Sequence, residues 1–267
     1  MTSFERRQQI LKLIQKHPGI KVTELATRLS VSEGTIRNDL NAMQRDGQIT
    51  RVRGGAVPLG ERAILNAAFA ERAQQHPQAK AWIARRAAEM IEDGDSIIMD
   101  ASSSVFSIVP HLKNRQNLTI ITNGIELGLA LAKNASHTVI LPGGFLRADG
   151  TSVVGHLGEK ILDELHVKTA FVSCSGFSLE AGLTEVDIQE VQIKEKMMHC
   201  ADSVVALIDS SKFGKVDLTP FAALEQISHI ITDKNLPGQY IKELRSRKVA
   251  LTLCDETNAL FYGEQPS

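Results

Sequence analysis

From Pro77 onward the sequence alternates between two kinds of segment, and this alternation limits the fold more than any other feature of the 267 residues. Short apolar runs at 96–100, 118–122, 138–141, 169–173, 203–208, 229–232 and 248–253 read as strands. Between them lie stretches with helical spacing at 79–91, 104–112, 125–132, 156–165, 188–200 and 238–245; the first puts Ile83, Ala87 and Met90 on one face. Strands alternating with helices imply an α/β fold with a mainly parallel, covered sheet. Ligands in such sheets bind outside the carboxyl ends of the strands, so the residues just after each run are the place to look for a site.

Those residues are small and polar. Asp100-Ala101-Ser102-Ser103-Ser104 follows the first run, Thr122-Asn123-Gly124 the second, and Gly143-Gly144 with Arg147 the third. Asp209-Ser210-Ser211-Lys212-Phe213-Gly214 follows the run at 203–208. Hydroxyls and unpaired backbone N–H groups at helix starts hold anions, and Lys212 or Arg147 would supply the countercharge. Any one of these turns reads as an ordinary helix cap. Four on one rim, two with a cation, favour a small polyol carrying a phosphate.

The start of the chain is different. Ile10, Leu11, Leu13 and Ile14 mark one face of a helix within 4–17, ended by His17-Pro18-Gly19. A second helix fits 22–29, with Leu25, Ala26 and Leu29 inward. Ser30-Val31-Ser32 then makes a tight turn, and Ser32 is placed to cap a third helix whose Ile36, Leu40 and Met43 share a side; Gly47 is a plausible stop. Helix, short turn and capped helix is the helix-turn-helix layout, whose second helix enters the major groove. Glu33, Thr35, Arg37, Asn38 and Asn41 are left outside the packing stripe, and these types suit base edges and phosphates. The stretch 48–53 alternates like a strand and turns at Gly54-Gly55, a wing with Arg51 and Arg53 on one face.

Charge divides the same way. The whole chain carries −1, but the first 57 residues hold ten Lys/Arg against five Asp/Glu, so the head is +5 and the remainder −6. A solvated face on a three-helix scaffold would account for charge alone; the turn chemistry and basic wing favour DNA. The expected DNA contacts are Ser32, Glu33, Thr35, Arg37, Asn38, Asn41, Arg51 and Arg53. The Gly/Pro break at 54–60 places a boundary near residue 58. The expected organisation is a winged helix-turn-helix at 1–58, a linker at 59–76 with helical character from 61 to 75, and an effector and oligomerisation domain at 77–267.

Other classes are disfavoured. No apolar stretch suited to a signal peptide or to a membrane span of about 18 residues is present. Cys174, Cys200 and Cys254 are widely spaced and form no disulfide framework, which fits a reducing cytoplasm. The eight histidines are scattered without metal-ligand spacing. Neither a cofactor nor a metal is expected.

Val31-Ser32-x-x-Thr35-Ile36-Arg37-x-Asp39-Leu40, followed by Gly47-x-Ile49-x-Arg51 and Gly54-Gly55-Ala56, resembles the DeoR/GlpR family of bacterial transcription regulators. Two positions depart: Asn38 stands where the family usually has a second Arg, and Arg53 where it has His. The resemblance extends from about Phe69 to Asp233 through Ile91-x-Asp93-Gly94-Asp95-x-Ile97, Thr122-Asn123, Pro142-Gly143-Gly144-x-x-Arg147, Gly182-Leu183-Thr184, Lys194-x-x-Met197 and Asp209-Ser210-Ser211-Lys212-Phe213-Gly214. It implies a body related to ribose-5-phosphate isomerase and glucosamine-6-phosphate deaminase, with a phosphorylated sugar as effector. Where the family mostly reads Asp-x-Gly-Ser-Thr-Thr, this chain has Asp100-Ala101-Ser102-Ser103-Ser104, keeping hydroxyls but losing the glycine. The expected effector residues are Asp100, Ser102, Ser103, Ser104, Thr122, Asn123, Gly143, Gly144, Arg147, Lys194 and Lys212.

The implied fold makes catalysis the rival reading. Aldose–ketose isomerisation needs a carboxylate base and a group that stabilises the enediolate. The run at 169–173 exits into Cys174-Ser175-Gly176-Phe177, which has no carboxylate; Glu185, Asp187, Glu190 and Glu195 lie beyond, where one could still reach the site, although several acids in twelve residues of a helix read rather as a solvated face. Cys174 has no His near in sequence and reads as a buried thiol. The expectation is therefore a non-catalytic regulator, a repressor of a sugar-metabolism operon released from double-stranded operator DNA by a phosphorylated sugar. It would act as a homo-oligomer, dimer or tetramer, with recognition helices about 34 Å apart. The alternative is a sugar-phosphate isomerase- or deaminase-type enzyme fused to a DNA-binding head.

Overall fold

The computed structural model describes residues 2–17, 19–45, 48–52, 55–58 and 67–263. The chain divides into two compact units, Met1–Gln75 with Ala148–Thr151, and His76–Arg147 with Ser152–Ser267.

The first unit opens with α1 (Ser3–Lys16). A reciprocal capping box starts it: Thr2 Oγ1 accepts from Glu5 N at 3.2 Å, and Glu5 Oε2 accepts from Thr2 N at 2.8 Å. Next come α2 (Val22–Leu29) and α3 (Glu33–Arg45), joined through Ser30 in the left-handed region at φ 52°. Ile10, Ile14, Leu25, Ile36, Leu40 and Met43 are fully buried and form the core that their spacing predicts. Asp39 is also buried; it takes hydrogen bonds from Arg6 and Arg7 and so ties α3 to α1. The wing is an antiparallel pair, β1 (Ile49–Val52) and β2 (Gly55–Pro58), with Arg51 opposite Ala56. A Cβ on Gly55 would lie 2.4 Å from the Ile20 carbonyl oxygen, so only glycine lets the wing lie against that turn. The expected helix at 61–75 is α4 (Ala67–Gln74) in its described part. Gly47, Arg53 and Gly54 lie outside the described residues, as does the first part of the expected linker, 59–66.

The second unit begins with α5 (Pro77–Glu89) and β3 (Ser96–Met99), then α6 (Ser103–Phe106), β4 (Thr119–Ile121), α7 (Ile125–Leu131) and β5 (Thr138–Ile140). A hairpin of β6 (Phe145–Leu146) and β7 (Val153–Val154) leads to α8 (His156–Leu162), β8 (Val167–Val172), β9 (Gly176–Ser178), β10 (Gly182–Glu185) and α9 (Ile188–His199). The chain ends through β11 (Ala201–Leu207), β12 (Thr219–Ala222), β13 (His229–Asp233), α10 (Gly238–Ser246), β14 (Ala250–Cys254) and β15 (Ala259–Tyr262).

Eight strands form the main sheet in the order β15-β14-β13-β11-β8-β3-β4-β5. Every pair is parallel except the antiparallel β14–β15 edge. Side chains of a strand alternate between faces, and the core divides accordingly. Ile97, Met99, Ile120, Phe171, Val205 and Leu207 pack with Ile83, Ala84 and Ala87 of α5 and Leu127 of α7. Ile98, Ile121, Ala170, Val172, Val204 and Ala206 pack with Val191, Ile193 and Met197 of α9. The sheet is thus covered on both faces, and apolar residues run through its central strands.

Three details depart from the sequence reading. The helix expected at 104–112 is α6 followed by a 3₁₀ turn at Val109–Leu112, because Pro110 has no N–H to continue the ladder. The helix expected at 156–165 stops at Leu162. The short strands β6, β7, β9, β10 and β12 and the edge strand β15 are additional; β12-β10-β9 form a separate antiparallel sheet.

Candidate functional site

The residues expected to meet DNA lie on α3 and the wing. Ser32 Oγ accepts from Thr35 N at 3.1 Å and lies 2.9 Å from Thr35 Oγ1, so both hydroxyls are engaged at the helix start. Arg37 is exposed and donates to Glu33 Oε2 at 2.8 Å, one turn back. Asn41 Oδ1 accepts from Arg51 NH1 at 2.7 Å, which joins the wing to the helix. Asn38 is exposed, and with Asn41, Gln44, Arg45, Ala42 and Arg7 it lines a groove of about 870 Å³. Arg7, Gln44 and Arg45 were not singled out by the motif. A basic, amide-lined helix face of this kind suits phosphates and base edges.

The second candidate site lies where the sheet reverses direction. β3 is flanked by β4 on one side and β8 on the other, so the chain winds outward both ways from the gap between β3 and β8. That switch point is where a doubly wound sheet opens a crevice at its carboxyl ends. Asp100 sits there, fully buried. Its Oδ1 accepts from Ser102 N at 3.0 Å and its Oδ2 from Ser173 N at 2.9 Å. Lys194, reaching up from α9, lies 3.3 Å from Asp100 Oδ2 and donates to Glu185 Oε2 at 2.8 Å and to the Ser173 carbonyl at 2.9 Å. Burial alone would push the Lys194 ammonium down, but Glu185, Asp100 and Glu190 outweigh it and hold the group charged. Burial likewise opposes ionisation of Glu185, yet the Lys194 charge and hydrogen bond bring its carboxyl down to about 2.

Beside this triad stands Lys212, which donates to Ser173 Oγ at 3.0 Å and lies 3.8 Å from Asp209 Oδ2. Asp209 caps the following turn by accepting from Ser211 N at 3.2 Å. On the β4 side, Asn123 Oδ1 accepts from Ala101 N at 3.0 Å and its Nδ2 donates to Glu190 Oε2 at 3.4 Å. Glu190 also receives Ser152 Oγ and, at 3.3 Å, Arg147 NH1; Arg147 NH2 donates to Asp187 Oδ2 at 2.9 Å. Thr122 Oγ1 accepts from Gly124 N at 3.0 Å. Ser102 Oγ accepts from Val105 N at 3.2 Å, and Ser103 Oγ accepts from Lys80 Nζ at 3.0 Å. Gly144 has φ 118°, and a Cβ there would lie 2.4 Å from the Val154 carbonyl oxygen, so only glycine lets the chain enter β6 this close to β7. Gly143, at φ 82°, precedes it.

The structure therefore draws Asp100, Lys194 and Lys212 together around Ser173, and Asn123 and Arg147 together around Glu190. It also corrects the reading of the acids. Glu190 is buried, Glu185 is on β10 in an ion pair, and Asp187 caps α9 by accepting from Gln189 N at 2.8 Å; only the half-buried Glu195 resembles a solvated position. The β9–β10 hairpin and β12 turn this segment inward against α9. Ser173 and Asp233 were missed although both end strands; Asp233 is buried and accepts from Ser210 N at 2.6 Å. Lys80 gave no signal in sequence. Cys174 is buried and its thiol is pushed up to about 12 by that burial, so it is no nucleophile near neutral pH. Among the described residues no cluster of His, Cys, Asp and Glu is placed to hold a metal ion, and no helix is long and apolar enough to cross a membrane.

Comparison with known proteins decides what carries these two sites. The DeoR-like helix-turn-helix domain matches residues 6–61, and the DeoR C terminal sensor domain matches residues 75–234. The chain belongs to the DeoR family. It is 32% identical over 256 residues to the HTH-type transcriptional regulator GolR of Listeria innocua, covering 96% of this chain and all of that protein. It is 33% identical to the lactose phosphotransferase system repressor of Streptococcus mutans, covering 87% of this chain and 93% of that one. Among solved structures, ribose 5-phosphate isomerase A of Methanocaldococcus jannaschii overlaps 50% of this chain and 53% of its own, at 20% identity and a TM-score of 0.36. As a DeoR-family member the protein is a transcriptional regulator with a DNA-binding head and a sensor body, so α3 and its wing belong to the first and the rim around Ser173 to the second.

Proposed function

We propose that this DeoR-family regulator represses a sugar-metabolism operon and is released from its operator when a phosphorylated sugar binds the rim of the sensor sheet. One observation carries the reading: a strand-end rim of hydroxyls with Lys212 beside them shares a chain with a basic recognition helix. Repressor is also the word in the name of the S. mutans relative. Lys194 and Arg147 each face two carboxylates, so Lys212 is the rim cation with the weakest pairing and takes the phosphate, with Ser102, Ser103 and Ser104 as donors. Asp100, Thr122, Asn123, Gly143 and Gly144 shape the polyol pocket. Ser32, Glu33, Thr35, Arg37, Asn38, Asn41 and Arg51, with Arg53 outside the described residues, face the operator.

The body works as a sensor rather than a catalyst. A carboxyl held at about 2 in an ion pair is a poor base for drawing a proton from a sugar carbon near neutrality. The working form is a cytoplasmic homo-oligomer, dimer or tetramer, with 1–58 reading DNA, 59–76 linking and 77–267 sensing and assembling. A coupling of about 1–3 kcal/mol between effector and operator suffices for regulation.

The test is anisotropy of labelled DNA from upstream of the protein's own gene, with and without a panel of phosphorylated and free sugars. Specific binding that weakens with one phosphorylated sugar is the expected result. Response to a free sugar or nucleotide alone overturns the effector class, and turnover of a pentose or hexosamine phosphate restores the enzyme reading.

A further inference from the structure

We propose that Lys80 is a positioning residue of the sensor rim, presenting the Ser103 hydroxyl to a phosphoryl oxygen and carrying its occupancy to the first turn of α5. The inference rests on the anion-binding reading of the rim given above.

Lys80 is the fourth residue of α5 and is 4% exposed. A buried ammonium must be hydrogen-bonded and has only donors to offer. It donates to Ser103 Oγ at 3.0 Å, in the turn that carries the first set of rim hydroxyls. The oxygen of Ser103 is thereby an acceptor, and its own hydrogen remains. Among the described residues nothing receives that hydrogen, although Ser103 is buried. The next hydroxyl, Ser104 Oγ, is fully buried and has no hydrogen-bond partner among the described residues.

The other lysine–serine pair of the rim shows the contrast. Lys212 donates to Ser173 Oγ at 3.0 Å, but the Ser173 hydrogen is already given to the Leu207 carbonyl at 2.6 Å. Only the Lys80 pair leaves a donor unused. A hydroxyl whose oxygen accepts from a cation donates more strongly in turn. Two neighbouring buried O–H donors without acceptors match a group that only accepts, and a phosphoryl oxygen is such a group.

The position of Lys80 gives the contact a direction. Its backbone N–H closes the first turn of α5 on the His76 carbonyl at 3.1 Å. His76 follows Gln75, where the continuous part of the first unit ends. An oxygen that draws on the Ser103 hydroxyl changes what Lys80 holds, and Lys80 belongs to the first turn after that boundary.

The experiment uses the full-length protein on labelled DNA from upstream of its own gene, titrated with inorganic phosphate, glucose 6-phosphate and ribose 5-phosphate. For Lys80→Met and Ser103→Ala the expected result is a release midpoint raised about ten- to a hundredfold over the wild type, with Lys80→Arg in between. Amide exchange over 77–81 should slow with the releasing probe in the wild type and not in Lys80→Met. Should Lys80→Met fail to fold, Ser103→Ala and Lys80→Arg decide the matter. A wild-type midpoint in Lys80→Met beside a raised one in Ser103→Ala overturns the role of Lys80 while leaving the rim reading intact, and wild-type midpoints in both overturn the part of Ser103 as well. A wild type released by none of these anions overturns the rim reading, and this inference with it.

Discussion

The α3 helix of the head and the strand-end rim of the sensor unit hold charged groups in opposite ways. On α3 the Arg37–Glu33 pair is exposed on both sides, with side chains 58% and 43% accessible. At the rim, Lys194 and Asp100 are 4% and 0% accessible and lie in one hydrogen-bonded knot with Glu185. An exposed pair is weak, screened by salt and readily exchanged for a phosphate or a base edge. A buried triad is fixed: its members cannot leave one another without stranding a charge. The head thus keeps an accessible pair on α3, while the body ties Lys194, Asp100 and Glu185 together at the strand ends, the division that the proposed DNA face and ligand rim call for.

The strongest way to break this contrast is Lys194→Met. It strands Asp100 and Glu185 and should destabilise the sensor unit by about 3–5 kcal/mol in denaturant unfolding. A loss below about 1 kcal/mol would mean the triad is no more fixed than a surface pair. The same triad sets an acid limit. The Glu185 carboxyl lies at about 2 when folded and near 4.5 when unfolded, so its stabilisation is complete above about 4.5 and is lost as pH falls through 2. The ceiling on that contribution is about 3 kcal/mol, and it should vanish from the acid limb of the stability curve in Glu185→Gln.

At the recognition helix the expected effect is smaller and falls on binding. Arg37→Ala should cost about 1–3 kcal/mol on the specific operator, measured by anisotropy, with a lesser loss on unrelated DNA. Equal losses on both would make Arg37 a phosphate contact. Smallest of all, Glu24→Gln removes the exposed partner of Arg28 on α2 and should move unfolding by no more than about 0.5 kcal/mol. A shift as large as that of Lys194→Met would erase the distinction between the two regions.

The head was legible because its information is local. Ile36, Leu40 and Met43 sit at helical spacing, Ser32 caps three residues ahead, and the wing follows at once. The parallel sheet was legible for the same reason, since each strand announces its own turn. What escaped was everything that needs distant partners. Asp39 matched the motif, but its partners Arg6 and Arg7 lie more than thirty residues earlier. Asn123 meets Glu190 across 67 positions, and Asp100 meets Ser173 across 73. The inward turn of Glu185 depends on β9, β10 and β12, strands of three or four residues whose pairing no alternation revealed.

The clamp of Arg6 and Arg7 on Asp39 has a consequence for how this protein meets a polyanion. Those two arginines are held within the head by a buried carboxylate. Lys12, Lys16, Lys21, Arg45 and Arg51 make no ion pair among the described residues, and Arg28 and Arg37 pair only with accessible acids that a phosphate can replace. Only groups that displace condensed cations from the duplex release them to bulk, and seven such contacts give a slope of about −6.3 for log affinity against log salt. The ten bases of the head would give about −9 by the same rule, so a salt titration counts how many arginines the fold has kept for itself.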